Sequence, residues 1–194
     1  MKEKKLYHVS HIAGLSVLEP KVSTHGKSYV YATRSLPVAL LFGSYKSMGD
    51  LDGMYGGGCN GCKPYFYEGF EGSFKRRFEQ TESYIYEVDP TDFEEGKTSY
   101  AAELVSEKPV KVLKCTKIDD LHKTLLDLAE KGELDLRFYE KNNPQYVETM
   151  NNHIRDRIIK FGILEDKEAY SYKFCKWYHT HILEELELKT EIDN

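Results

Sequence analysis

A change of hydrophobic period near Ile118 sets the architecture this chain can adopt. Ahead of it, short Tyr- and Val-rich segments are bounded by polar residues, glycine or proline: 5–10, 28–33 ("SYVYAT"), 83–90 ("SYIYEVDP") and 108–118 ("KPVKVLKCTKI"). That alternation predicts strands. Between the second and third, "RSLPVALLFGSY" puts Pro37 at a helix start and runs through Ala39, Leu40, Leu41 and Phe42 to Gly43, a short buried helix. "THGK" at 24–27 reads as loop. Beyond Ile118, Leu121, Leu125 and Leu128 recur at helical spacing between a cap at Asp119 and a stop at Gly132. Two more helices follow, about 145–161 with Val147, Met150, Ile154 and Ile158, and about 166–187 with Tyr170, Phe174, Trp177 and Leu183. Strands first and helices last is an α+β order, not an alternating βαβ one.

A chain of 194 residues can bury one substantial core with an appended segment, which places a core at 1–118 and a helical C-terminal segment at 119–194. The stretch 43–81 holds much of the glycine, interleaved with Tyr and Phe. A connection that long without periodicity is expected to be a lid or a substrate-facing loop.

Function classes narrow with charge. The net charge of −5 argues against a long footprint on a phosphate backbone. No apolar run approaches the roughly 20 residues of a membrane span, and "MKEKKLYHVS" has no apolar stretch of a signal peptide behind its lysines, so the expected location is cytoplasmic, with no membrane partner. Cys59 and Cys62 have the spacing of half a zinc knuckle, but a second pair is missing, so no metal is expected and a zinc-stabilised adaptor is the lesser alternative. The glycine cluster lacks the Lys-Ser/Thr of a phosphate loop, and the cysteines lack a thioredoxin-like βαβ setting. His179 and His181 diverge on a helical surface and read as exposed or capping; the tail "EELELKTEIDN" reads as a solvated acidic helix end.

Three patterns remain: "LYHVS" at 6–10, "SYVYATRSLPVALLF" at 28–42 and "AAELVSEKPVKVL" at 101–113. In this order they resemble the His-Tyr-Glu branch of the ADP-ribosyltransferase superfamily, the branch of diphtheria-type toxins and poly(ADP-ribose) polymerases. The resemblance covers roughly the first 115 residues and implies a split β-sheet core that uses NAD as substrate. Breaking the nicotinamide–ribose bond passes through an oxocarbenium-like sugar, which needs a carboxylate and a held leaving ring. By resemblance, Glu103 is the catalytic carboxylate, with Glu107 as its rival. His8 binds the adenine-side ribose, Ser10 supports the same site, and Tyr31 and Phe42 stack on nicotinamide, Phe42 being as compatible with a core role. Val9 stands where many relatives have Gly; its backbone amide and carbonyl can still grip the carboxamide.

What the resemblance implies is mono-ADP-ribosyl transfer to an unknown protein or nucleic-acid acceptor, or hydrolysis of NAD. A degenerate nucleotide-binding or interaction module of the same fold is the alternative. The RNA 2′-phosphotransferase branch is disfavoured by the acidic balance.

Overall fold

The computed structural model describes residues 5–22 and 27–192, with side chains through 189. Most of the expected loop at 24–27 therefore lies outside the described residues. The strands are β1 (Leu6–Ser10), β2 (Val17–Leu18), β3 (Lys21–Val22), β4 (Ser28–Thr33), β5 (Gly53–Gly56), β6 (Tyr65–Glu68), β7 (Ser83–Val88), β8 (Glu94–Glu95), β9 (Glu103–Ser106), β10 (Val110–Ile118) and β11 (Asp135–Arg137). The helices are α1 (Leu36–Leu41), α2 (Ser73–Phe78), α3 (Leu121–Glu130), α4 (Pro144–Lys160), α5 (Tyr170–Tyr178) and α6 (Thr180–Ile192), with short 3-10 turns at Gly49–Asp52 and Ile163–Glu165. The mixed α+β class is as expected.

The described chain divides into two compact units, one from the described residues of Met1–Tyr45, Gly56–Tyr65 and Phe78–Asp135, the other from those of Lys46–Tyr55, Phe66–Arg77 and Leu136–Asn194. A single boundary at 118 does not coincide with this division. Helix α3 belongs to the first unit because Leu121 and Leu125 bury their whole side chains there, each contributing about 2 kcal/mol. Two parts of the 43–81 stretch belong to the second unit.

The first unit is built on a sheet in the order β2–β10–β7–β1–β4–β9–β8, with β3 paired to β4. Neighbouring strands pair antiparallel. One face buries Leu6, Leu18, Val30, Ala32, Tyr86, Val88, Leu104 and Val110, the alternate residues of their strands as the period of two requires. Pairing is uneven. β1 matches β7 over five residues, Leu6↔Val88 to Ser10↔Tyr84, and β4 matches β9 over four, Val30↔Ser106 to Thr33↔Glu103. Between β1 and β4, among the described residues, the register is the one pair Tyr7↔Thr33. The sheet is thus two halves hinged at one point, parting toward Ser10 and Tyr29.

Helix α1 begins as the sequence predicts. The Ser35 side chain caps it by accepting from Val38 N at 3.5 Å, and Pro37 sits in the first turn, where its missing N–H costs nothing. In α3 the cap is Asp120, one residue later than expected; its carboxylate accepts from Lys123 N at 2.9 Å.

The second unit contains most of the three-stranded sheet β11–β6–β5 and helices α4 to α6. Asn143 caps α4 and Pro144 opens it. Its core-facing residues are Tyr146, Met150, Ile154 and Ile158, so Tyr146 takes the first position expected of Val147. The single helix expected over 166–187 is two, interrupted at His179. His179 caps α5 but is buried, 2% exposed, so the exposed reading is corrected: its Nε2 donates to Leu51 O at 2.8 Å, and its ring packs against Phe70 and Phe174. The acidic tail is likewise only partly solvated, since Leu186 joins the core with Ile182 and Leu183. Two buried carboxylates find their partners within this unit: Glu68 accepts from the backbone N–H groups of Gly72, Phe74 and Tyr139, and Asp52 accepts from Met48 N, Arg76 and Arg77. Such pairing is what lets charged groups sit at 0–2% exposure.

Candidate functional site

Where β1 and β4 part, a cavity of about 280 Å³ opens within the first unit. Its walls include His8, Ser10 and Ile12 at the β1 end, Tyr29, Val30 and Tyr31 of β4, and Leu15, Lys21 and others between 15 and 21. The hinge pair Tyr7↔Thr33 explains the opening. Beyond it no further register pair joins β1 to β4 among the described residues, and a side chain bridges the two strands.

That side chain is His8. Its Nδ1 lies 2.8 Å from Tyr31 O. A carbonyl only accepts, so Nδ1 carries the proton and Nε2 is an acceptor in the neutral ring. Burial pushes the His8 pKa below its ordinary 6.5, outweighing the bond to Tyr31, and the charge of Lys21 lowers it further. Near neutral pH the cavity wall therefore presents an uncharged imidazole whose free lone pair suits a hydroxyl or N–H donor.

Tyr86 supports the site from β7, where it pairs with His8. It is fully buried, and its hydroxyl donates to Ile12 O at 2.6 Å and accepts from Leu15 N at 3.4 Å, fixing the segment that forms one wall. Sequence reading treats Tyr86 only as a strand residue. The signal that finds it is the cross-strand register His8↔Tyr86, which no single-strand pattern contains. Ser10 lines the cavity with its Oγ already accepting from Ile12 N at 3.1 Å.

The other candidates lie apart from this cavity. Val9 alternates to the opposite face, where its side chain fills the space against Gly43; a Cβ on Gly43 would meet Val9 Cγ1 at 2.7 Å. Phe42 is the C-cap of α1, 44% exposed, with its ring centroid 6.4 Å from that of Tyr100. Tyr31 meets Tyr29 edge-on at 5.9 Å. Tyr31 lines the cavity and Phe42 does not, so the two do not form facing walls.

Glu103 opens β9 opposite Thr33, which extends the hinge row Tyr7–Thr33–Glu103 across three strands. It is partly buried with Oε2 withdrawn from solvent, and its N–H donates to Tyr100 O at 3.0 Å. It sits at the vertex of the split and is not among the cavity-lining residues. Glu107 is exposed between β9 and β10.

Cys59 and Cys62 belong to a tight turn in the first unit, and no group of three or more His, Cys, Asp or Glu side chains placed to hold a metal occurs among the described residues. No described helix is long and apolar enough to cross a membrane. The chain matches no protein-family model and no curated protein.

Proposed function

We propose that the split between β1 and β4 is a nucleotide site and that the protein is an ADP-ribosyltransferase-like enzyme acting on NAD. The observation that carries this reading is the neutral His8, fixed by Tyr31 O with Nε2 left as an acceptor at the wall of a cavity that a split sheet opens. A volume of about 280 Å³ lies just under the range of small-molecule pockets, roughly 300–1,000 Å³. That suits one nucleoside half of a dinucleotide, with the other half extending toward the vertex.

In this reading His8 Nε2 accepts from an adenine-side ribose hydroxyl, Ser10 and Tyr31 shape the same wall, and the Val9 backbone receives the carboxamide. The Glu103 carboxylate, at the vertex, accepts from the nicotinamide-side ribose and stabilises its developing cation. The bond from ribose C1′ to the pyridinium nitrogen breaks, its electron pair leaves with nicotinamide, and an acceptor oxygen or nitrogen bonds to C1′ and loses its proton. A protein or nucleic-acid acceptor gives transfer; water gives hydrolysis. The strand position and withdrawn oxygen of Glu103, against the exposure of Glu107, support the former as the carboxylate.

A second reading has its own observation: Glu103 does not line the cavity. A binding module of the same fold that holds a nucleotide without cleaving it is consistent with that separation. Nicotinamide release from NAD by the wild type, Glu103→Gln and Glu107→Gln, with binding measured on the same samples, separates the two. The transferase reading expects release from the wild type and Glu107→Gln, and binding without release from Glu103→Gln. Binding without release from all three favours the module, and absence of both overturns the nucleotide site.

A further inference from the structure

We propose that Cys59 and Cys62 are a reversible dithiol–disulfide site whose oxidation clamps the turn that seats Tyr100. Sequence spacing alone gave this pair no setting, and the backbone supplies one. Cys62 N donates to Cys59 O at 2.8 Å, and the two residues between them, Asn60 and Gly61, have φ of 51° and 78°. Positive φ at both central positions defines a type I′ turn, which brings the outer Cα atoms within 7 Å of each other. A disulfide needs 4.4–6.8 Å between Cα atoms, a range that overlaps the span this turn sets between Cys59 and Cys62.

Access is open. Cys62 is exposed and Cys59 partly so, and a Cβ on Gly61 would meet nothing within 4 Å. The base of the turn is held instead. Gly58 N donates to Cys62 O at 2.9 Å, and a Cβ on Gly58 would meet Val38 Cγ2 at 2.3 Å, so the turn lies directly on the start of α1. Gly57 O accepts from the Tyr100 hydroxyl at 2.8 Å, and Tyr100 in turn meets Phe42 and accepts the Glu103 N–H at its carbonyl. A covalent clamp across Cys59 and Cys62 narrows the excursions of Gly57 and Gly58, and through them of the 100–103 turn.

The co-reactant is a low-molecular-weight disulfide such as oxidised glutathione. One thiolate attacks it and releases one small thiol; the second thiolate attacks the mixed disulfide and releases the other. The protein loses two hydrogens as the small disulfide gains them. The test is intact-mass and peptide mapping of the full chain after exposure to oxidised glutathione, then dithiothreitol. Cys59→Ser and Cys62→Ser serve as comparisons, and exposed Cys115 as the internal reference thiol.

Expected is loss of two hydrogens within the 59–62 peptide, reversal by dithiothreitol, and a stable glutathione adduct at the remaining thiol of each variant. Amide exchange at Glu103 is expected to slow in the oxidised wild type only. A persistent glutathione adduct on the wild-type peptide overturns the disulfide, and unchanged exchange at Glu103 overturns its link to Tyr100. Both readouts are independent of NAD.

Discussion

Two histidines show how differently the two units use one residue type. His179 is buried and His8 half-buried, both are neutral near pH 7 and both donate to a backbone carbonyl, of Leu51 and Tyr31 respectively. Around His179 the space is filled by Phe70, Phe174 and the cluster of Leu51, Ile182 and Leu183. Around His8 it is a cavity, because among the described residues its own strand β1 shares with β4 only the hinge pair Tyr7↔Thr33. An imidazole bonded to a backbone carbonyl is therefore structural or available according to what its second nitrogen faces, which the element carrying it does not decide.

The comparison is broken or sharpened most strongly at Glu103. Glu103→Gln is expected to reduce nicotinamide release by about 10²–10³-fold, the usual cost of losing one transition-state electrostatic contact, with the thermal midpoint little changed. Steady-state kinetics beside a melting curve checks both. His179→Ala does the opposite: it removes a buried ring and leaves Leu51 O without its donor, costing about 2–4 kcal/mol in urea unfolding without touching the cavity.

Acid sharpens the same contrast. Burial lowers the His179 pKa to about 4, below the 6.5 of an unfolded chain. Between those values the unfolded state binds the extra proton, so stability is full above pH 6.5 and falls as pH drops toward 4. The whole shift is worth about 3 kcal/mol. Unfolding midpoints across pH 4–7 are expected to decline in the wild type and to decline less steeply in His179→Gln, where His8 and His153, both lowered by burial, still contribute. The smallest effect is at Tyr100. Tyr100→Phe removes the bond to Gly57 O and is expected to cost about 1 kcal/mol, read as faster amide exchange around Gly57 and Glu103.

Much of the architecture was legible because periodicity is local. Leu6 to Ser10, Ser28 to Thr33 and Ser83 to Val88 alternate as strands do, and Pro37 announces a helix start. The break between α5 and α6 was not legible: no glycine or proline marks it, and its interior partner, Leu51, lies 128 positions away. Nor was the order inside 43–81. Gly53 has φ of 144° and a Cβ there would meet Tyr67 O at 2.1 Å, so glycine in this stretch lets strands approach closely. Glu68 and Arg77 look like surface charges in sequence, yet both are buried by partners supplied from a distance.

For the candidate site, sequence located His8, Ser10 and Tyr31, which line one cavity, because strand neighbours set their proximity. It could not give the divergence of β1 from β4, which depends on pairing partners far along the chain. Phe42 and Glu103 are not among the residues that line the cavity, and Tyr86 acts behind its wall, holding Ile12 and Leu15 through its hydroxyl.

The most direct test is calorimetric titration of NAD into the wild type, His8→Phe and His179→Gln at pH 7.5. A neutral His8 acting as acceptor predicts binding to the wild type, binding to His179→Gln at the same affinity, and at least a tenfold loss in His8→Phe, about 1.4 kcal/mol. Equal affinity for wild type and His8→Phe, or no binding by the wild type, would contradict it and leave His8 as the clasp between two strands.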